Sequence, residues 1–144
     1  WVTSTRCHML GMYVVLESYL GMVCDTPQAY EGQPGFEFIR KVPTTWDETV
    51  VPAASVMEYA CVARRKGTDW WIGAINNSMP RKVEFRADFL GDGTYTAEIY
   101  TDTDETATDP NRLEKRTVTL RKGDMLTLPM AGSGGAAIHI YPTR

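Results

Sequence analysis

The 144-residue sequence predicts a mainly β fold, an antiparallel β-sandwich preceded by a helical segment. Three observations carry this reading. The hydrophobic period changes near Val50 from about 3.6 residues to about 2. Beyond that point roughly seven short alternating runs follow, separated by Gly, Pro, Asn and Asp turn signals with no helical pattern between them. Before it, an apolar stretch is bracketed by helix start and stop signals.

Residues 3–25 read as one helix, ~30 Å long. Thr3, Ser4 and Thr5 are N-cap candidates, and Asp25-Thr26-Pro27 ends the run because Pro27 restricts its predecessor and donates no backbone hydrogen bond. Gly11 and Gly21 allow a close backbone neighbour. After a connector with turn chemistry in Tyr30-Glu31-Gly32-Gln33-Pro34-Gly35, residues 36–41 read as a helical turn with Phe36 and Ile39 on one side. Residues 42–49 read as extended.

The strands follow in order. Residues 57–65 alternate around Tyr59, Cys61 and Ala63, and Lys66-Gly67 turns. Residues 69–76 set Trp70, Ile72 and Ala74 opposite Trp71, Gly73 and Ile75. The cleanest alternation spans residues 81–90, with Val83, Phe85, Ala87 and Phe89 against Lys82, Glu84, Arg86 and Asp88. Gly91-Asp92-Gly93 then precedes Tyr95, Ala97 and Ile99. An acidic loop over residues 102–109 leads to Val118 and Leu120, the Lys122-Gly123 turn, Leu126, Leu128 and Met130, a Gly132-Ser133-Gly134-Gly135 loop, and a last strand with Ile138 and Ile140.

Composition narrows the function classes. Hydrophobic residues at 43% with 23% charged residues describe a globular chain. A net charge of −3 supplies no basic excess for nucleic acid or an anionic membrane. Three cysteines, Cys7, Cys24 and Cys61, are too few for a disulfide scaffold. The apolar run over residues 9–24 is broken by Glu17 and Ser18 and falls short of the ~20 residues of a membrane span. An acidic residue inside it is also wrong for a signal peptide.

The two halves do not balance. At about 100° per residue the apolar side chains of the first helix cover nearly its whole circumference. A sandwich can shelter only one side of it. Each Leu, Val or Met left in water forfeits ~1.5–3 kcal/mol. With Trp1 rather than Met at its start, the chain is expected to be the tail of a larger protein, or else to self-associate through the helix.

Candidate chemistry is sparse. Carboxylates that could pair for glycoside hydrolysis are Glu17, Asp25, Glu31, Glu37, Asp47 and Glu48. Asp47 and Glu48 are adjacent on an extended segment, so they point to opposite faces and suit a turn role. Glu17, inside the apolar helix, is expected to need a partner. The oxygen-rich loop over residues 102–109 departs from the EF-hand pattern, with Ala107 where Gly belongs and Leu113 where Glu belongs. It is expected to be a solvated loop at a sheet edge. Cys7 and His8 diverge on a helix, and no C-x-x-C spacing exists. His139 lies on the face opposite Ile138 and Ile140, as a surface or interface residue. The Gly132–Gly135 loop joins two strands and so lacks the helix of a phosphate cradle. Trp46, Trp70 and Trp71 could stack on sugar rings. Trp70 and Trp71 face opposite sides of a strand, so at most one is expected in the core, the other packing at an interface.

Several segments together resemble the carboxy-terminal part of glycoside hydrolase family 97. They are Thr5-Arg6-Cys7-His8-Met9-Leu10, Tyr13 to Ser18, Asp25-Thr26-Pro27 with Tyr30, Pro43-Thr44-Thr45-Trp46-Asp47-Glu48-Thr49, and Ala63-Arg64-Arg65-Lys66-Gly67 with Trp70 and Asn76. The resemblance implies an α-glucosidase or α-galactosidase built from an N-terminal β-sandwich, a (β/α)8 catalytic barrel and a C-terminal β-sandwich. Residues 1–45 would then be the helical end of the barrel and residues 46–144 the terminal sandwich, an accessory domain that buries and stabilises the barrel's outer helices. In the intact enzyme an acid would protonate the glycosidic oxygen while a carboxylate, assisted by Ca2+, attacks or activates water. None of the family's catalytic or Ca2+-binding carboxylates matches a position in this chain, so no catalytic, cofactor or metal residue is carried over. The chain alone is expected to be inactive, with the missing domains as its partners, an oligosaccharide as the parent's substrate and a periplasmic or secreted location. The alternative from the residues is a non-catalytic carbohydrate-binding sandwich with Trp70 or Trp71 as its platform. A plain structural or adhesion sandwich is a third.

Overall fold

A computed structural model describes residues 3–143. Residues 1, 2 and 144, the outer ends of the two expected units, lie outside the described residues.

Three short helices come first: α1 (Arg6–Val15), α2 (Pro27–Tyr30) and α3 (Phe36–Ile39). Eight strands follow: β1 (Glu48–Ser55), β2 (Tyr59–Lys66), β3 (Asp69–Asn76), β4 (Arg81–Arg86), β5 (Tyr95–Thr101), β6 (Glu114–Leu120), β7 (Met125–Met130) and β8 (Gly135–Pro142). A single 3-10 turn, Asp104–Ala107, sits between β5 and β6. All pairings are antiparallel, in a six-stranded sheet of order β1-β2-β3-β8-β5-β6 and a two-stranded sheet of β4 and β7. The sandwich read from the sequence is therefore present. The strand that sequence reading missed is β1, where Pro52 and a bulge between Val50 and Ala53 break the alternation.

Alternation assigns the two faces of the large sheet. Trp70, Ile72, Ala97, Ile99, Ile138 and Ile140 point into a core closed by Val83, Phe85, Leu126 and Leu128 of the small sheet. Their neighbours Trp71, Tyr100 and Ala137 point the other way, into a second cluster with Cys7, Leu10 and Val14 of α1 and Phe38 of α3. Layers thus run helix, six-stranded sheet, two-stranded sheet. Trp70 and Trp71 are each 3% exposed. The expectation that at most one of them is a core residue is corrected, because β3 separates two cores rather than a core and solvent.

Close approach of α1 to the sheet depends on glycine. A Cβ on Gly73 would collide with the Gly11 carbonyl oxygen and sit 2.9 Å from the Val14 Cβ. One on Gly11 would meet the Ala74 and Ala136 carbonyls at 2.7 and 2.8 Å. No other residue type lets these backbones touch.

The single helix expected over residues 3–25 is corrected to the ten residues of α1. Thr5 is the N-cap, its hydroxyl accepting from the His8 amide at 3.1 Å. At the other end Arg64, buried in β2, donates from Nε to the Val14 carbonyl at 2.7 Å and from Nη2 to that of Val15 at 3.4 Å. A cation at the negative end of the helix, occupying its last carbonyls, makes a stop. Residues 16–25 beyond it are irregular and exposed, with Tyr19 and Leu20 each 74% exposed. Apolar content without a surface to pack on does not sustain a helix. In α3 the buried aromatic is Phe38, edge-on to Trp71 and Tyr100, rather than Phe36.

Candidate functional site

The most connected polar cluster lies where the helical segment passes into the sandwich, between residues 43–49 and β2. Trp46 lies 6.0 Å from the Arg64 guanidinium, whose Nη1 donates to the Thr49 hydroxyl at 3.2 Å. Arg65 pairs with Glu48 at 3.0 Å, and Lys66 donates to the Thr45 hydroxyl at 3.1 Å and to Asp47 at 3.4 Å. The Gly67 amide donates to Asp47 at 2.7 Å and, with Lys66 and Arg65, holds that carboxyl below its ordinary range. Antiparallel register explains the meeting, since Glu48 lies opposite Arg65 and Thr49 opposite Arg64. Asp47 thus clamps the β2–β3 turn, and Glu48 holds the end of β2 through Arg65. Arg64, which the sequence places in a family motif without a role of its own, links this junction to the end of α1. Its signal was a cation at a position of β2 that alternation turns toward the helix.

A second linkage joins the other end of α1 to the far end of the sheet. Arg6 donates to Gln33 Oε1 at 3.0 Å, the Pro34 carbonyl at 3.2 Å and Asn111 Oδ1 at 3.1 Å. Asp102 Oδ2 accepts from the Ala131 and Gly135 amides at 3.0 and 2.9 Å, and His8 Nδ1 meets the Gly134 carbonyl at 3.0 Å. The Gly132–Gly135 loop is therefore a latch for α1. The acidic loop is corrected on one point: Asp102 and Thr106 are buried, and only the rest is solvated. Burial, with the neighbouring Asp102 carboxylate, pushes the Cys7 thiol far up, so it stays protonated. Burial alone pushes Cys61 up to about 12.

On the helical side of β8, His139 stacks on Trp71 at 3.8 Å and pairs through Nε2 with Asp69 at 2.8 Å. Its other nitrogen lies 4.0 Å from Glu98, which Lys41 reaches at 3.5 Å. Burial holds the imidazole below its ordinary value against the opposing pull of Asp69 and Glu98. The expected surface or interface position is corrected: His139 is 8% exposed, buried against Trp71. Nearby, Glu37 accepts from Lys115 at 2.8 Å and from the Tyr100 hydroxyl at 3.2 Å. Burial acts to raise Glu37, but those hydrogen bonds and the Lys115 charge outweigh it and hold the carboxyl down. Burial pushes the Tyr100 phenol up to about 12.

The remaining candidates do not converge. Glu17, expected to be buried, is corrected to an exposed position, because the helix ends before it. Asp25 and Glu31 are exposed as well. Among the described residues no three His, Cys, Asp or Glu side chains are grouped to hold a metal ion. With both Trp70 and Trp71 enclosed, neither ring offers a face to a sugar. An open apolar groove of about 840 Å3 runs beside α1, lined by Met9, Tyr13, Val23, Tyr30, Phe36 and Ile39. No helix among the described residues is long and apolar enough to cross a membrane.

Residues 45–141 match a family model described as the C-terminal domain of glycosyl hydrolase 97, oligomerisation. Over 138 residues and 95% of its length the chain is 36% identical to a retaining α-galactosidase of Bacteroides thetaiotaomicron, covering 21% of that protein. A probable retaining α-galactosidase of Streptomyces bingchenggensis is 30% identical over 94% of the chain, again with 21% of the relative covered. The chain therefore spans about a fifth of the length of these curated relatives. In three dimensions it superposes with a TM-score of 0.92 on a glycoside hydrolase family 97 enzyme from Pseudoalteromonas sp. strain K8 in complex with acarbose. There the identity is 34%, over 98% of this chain and 23% of the other.

Proposed function

The chain belongs to the C-terminal domain family of glycoside hydrolase 97, and from that premise we propose that it is the accessory and oligomerising end of an α-glycosidase and carries none of its chemistry. The carrying observation is α1. It is docked on the outer face of the sandwich through Gly11 and Gly73 and capped by Arg64, with an apolar groove and an exposed apolar stretch on its outer side. A helix held this way by the sandwich buttresses a catalytic domain lying over that groove. The names of the curated relatives favour α-galactosides, cleaved with retention. Catalytic carboxylates and Ca2+ belong to the remainder of such an enzyme, in a periplasmic or secreted location.

The test is replacement. Deleting the matching segment of the Bacteroides retaining α-galactosidase is expected to abolish soluble, active enzyme, and this chain in its place to restore hydrolysis of p-nitrophenyl α-galactoside. The chain alone is expected to show no turnover of that substrate or of its α-glucoside counterpart. Turnover by the isolated chain, or a chimera that folds but stays inactive, overturns the reading.

A further inference from the structure

The matched family is described by oligomerisation, and that description attaches to residues 45–141 of this chain. The exposed apolar residues 16–23 lie outside that range. Within it, the large hydrophobic residues left exposed are Val51, Val56, Met57, Met79 and Met125. Three of them stand together: Val56 is 91% exposed, Met57 92% and Met79 62%.

Asn77 ties Met57 to Met79. Its side-chain amide donates to the Met57 carbonyl at 3.1 Å, and its Oδ1 accepts from the Met79 amide at 3.0 Å and from Arg81 at 2.9 Å. The Asn77 backbone amide donates to the Glu58 carbonyl at 2.9 Å, and its carbonyl accepts from Ser133. Met57 is held at a φ of +64°, in the left-handed region that favours glycine. A long thioether in full solvent, on a backbone that would suit glycine better, is disfavoured twice over unless something covers it.

Both edges of the large sheet are poor alternatives. In β1, Pro52 and the bulge spoil the hydrogen-bonding edge, and β6 presents Glu114, Lys115 and Arg116. The rim of the tip is self-complementary. Arg81 lies over the Tyr59 ring at 5.3 Å and pairs with Glu58 at 3.2 Å, so each copy offers one acid and one base. About a two-fold axis, Glu58 of one copy would face Arg81 of its twin around an apolar centre.

We propose that the Val56–Met57 tip with Met79 is the central contact through which a second copy of this chain docks. This rests on the oligomerisation reading above and names its surface.

The experiment is sedimentation velocity of the chain over a concentration series, with three variants. The wild type is expected to dimerise, and V56K/M57K to raise the dimer Kd about 30-fold or more, as the loss of central contacts does. Its circular dichroism and melting of the monomer should be unchanged, because both side chains are exposed. Met57→Gly, which suits the positive φ, is expected to fold at least as well and still to weaken the dimer. L20K/M22K, in the exposed stretch after α1, is expected to leave dimerisation intact. A wild-type dimer that survives V56K/M57K, or one lost in L20K/M22K, overturns the proposed surface while the oligomerisation reading stands. A wild type that is monomeric throughout overturns both.

Discussion

On one face of the six-stranded sheet, Ile72, Ile99, Ile138 and Ile140 meet the side chains of β4 and β7. On the other, Trp71, Tyr100 and Ala137 meet one ten-residue helix and a single turn. The first face is closed by strands that are themselves hydrogen bonded and joined to the sheet by chain on both sides. The second is closed by a helix too short to persist alone in water, held by a glycine contact and by Arg64. One core is self-sufficient. The other is conditional, and its cover carries an open apolar groove on its outer side.

Removing side-chain volume from the closed face tests this most severely. Leu128→Ala, at a fully buried position between the sheets, is expected to cost ~2–5 kcal/mol and to lower the whole unfolding transition, read by denaturant titration. On the helical face, Gly73→Ala drives a methyl into the Gly11 carbonyl and is expected to cost ~1–3 kcal/mol. Its signature differs: helical circular dichroism falls and Trp71 fluorescence shifts before the sandwich melts. If both variants unfold in one coincident transition, the two faces are not separable.

Smaller effects sharpen the contrast. Arg64→Gln strips the charge from the end of α1 and is expected to cost ~1.5–3 kcal/mol, seen as faster amide exchange over residues 12–16 with β3 amides still protected. Uniform acceleration across β3 as well would remove Arg64's special role. The smallest effect is one of pH. Burial keeps the folded-state imidazole of His139 below its ordinary value near 6.5, so the folded chain binds its proton less readily than the unfolded chain does. The stability from neutral His139 is present above that ordinary value and is lost as the pH falls below it toward the folded-state value. Wild type is therefore expected to lose more of its melting temperature than His139→Gln between neutral pH and about pH 5. An equal loss in both would remove His139 from the acid response.

The β half was legible because alternation is a local signal that survives without knowledge of partners. Residues 69–76 form β3 as read, and Val83 and Phe85 turn inward while Lys82, Glu84 and Arg86 turn out. The helical half was misread for the complementary reason. Apolar density over residues 9–24 looks the same whether a surface waits for it or not, and only α1 found one. The junction was legible as two motifs, Pro43 to Thr49 and Ala63 to Gly67, but their joining into one cluster across β1 and β2 was not, since register decides it.

By itself, the sequence determined the sandwich, its turns, a helix start among Thr3, Ser4 and Thr5, a Gly11 open to close approach and the family to which the chain belongs. Each follows from short-range chemistry: side-chain period, capping, the missing Cβ of glycine. Only the tertiary structure decided that β3 divides two cores so that both tryptophans are buried, that Arg64 stops α1 at Val15, and that Asp102 latches the glycine loop. Those depend on which residues distant in the chain come within hydrogen-bonding reach, and that distance is set by packing and register, which no local pattern encodes.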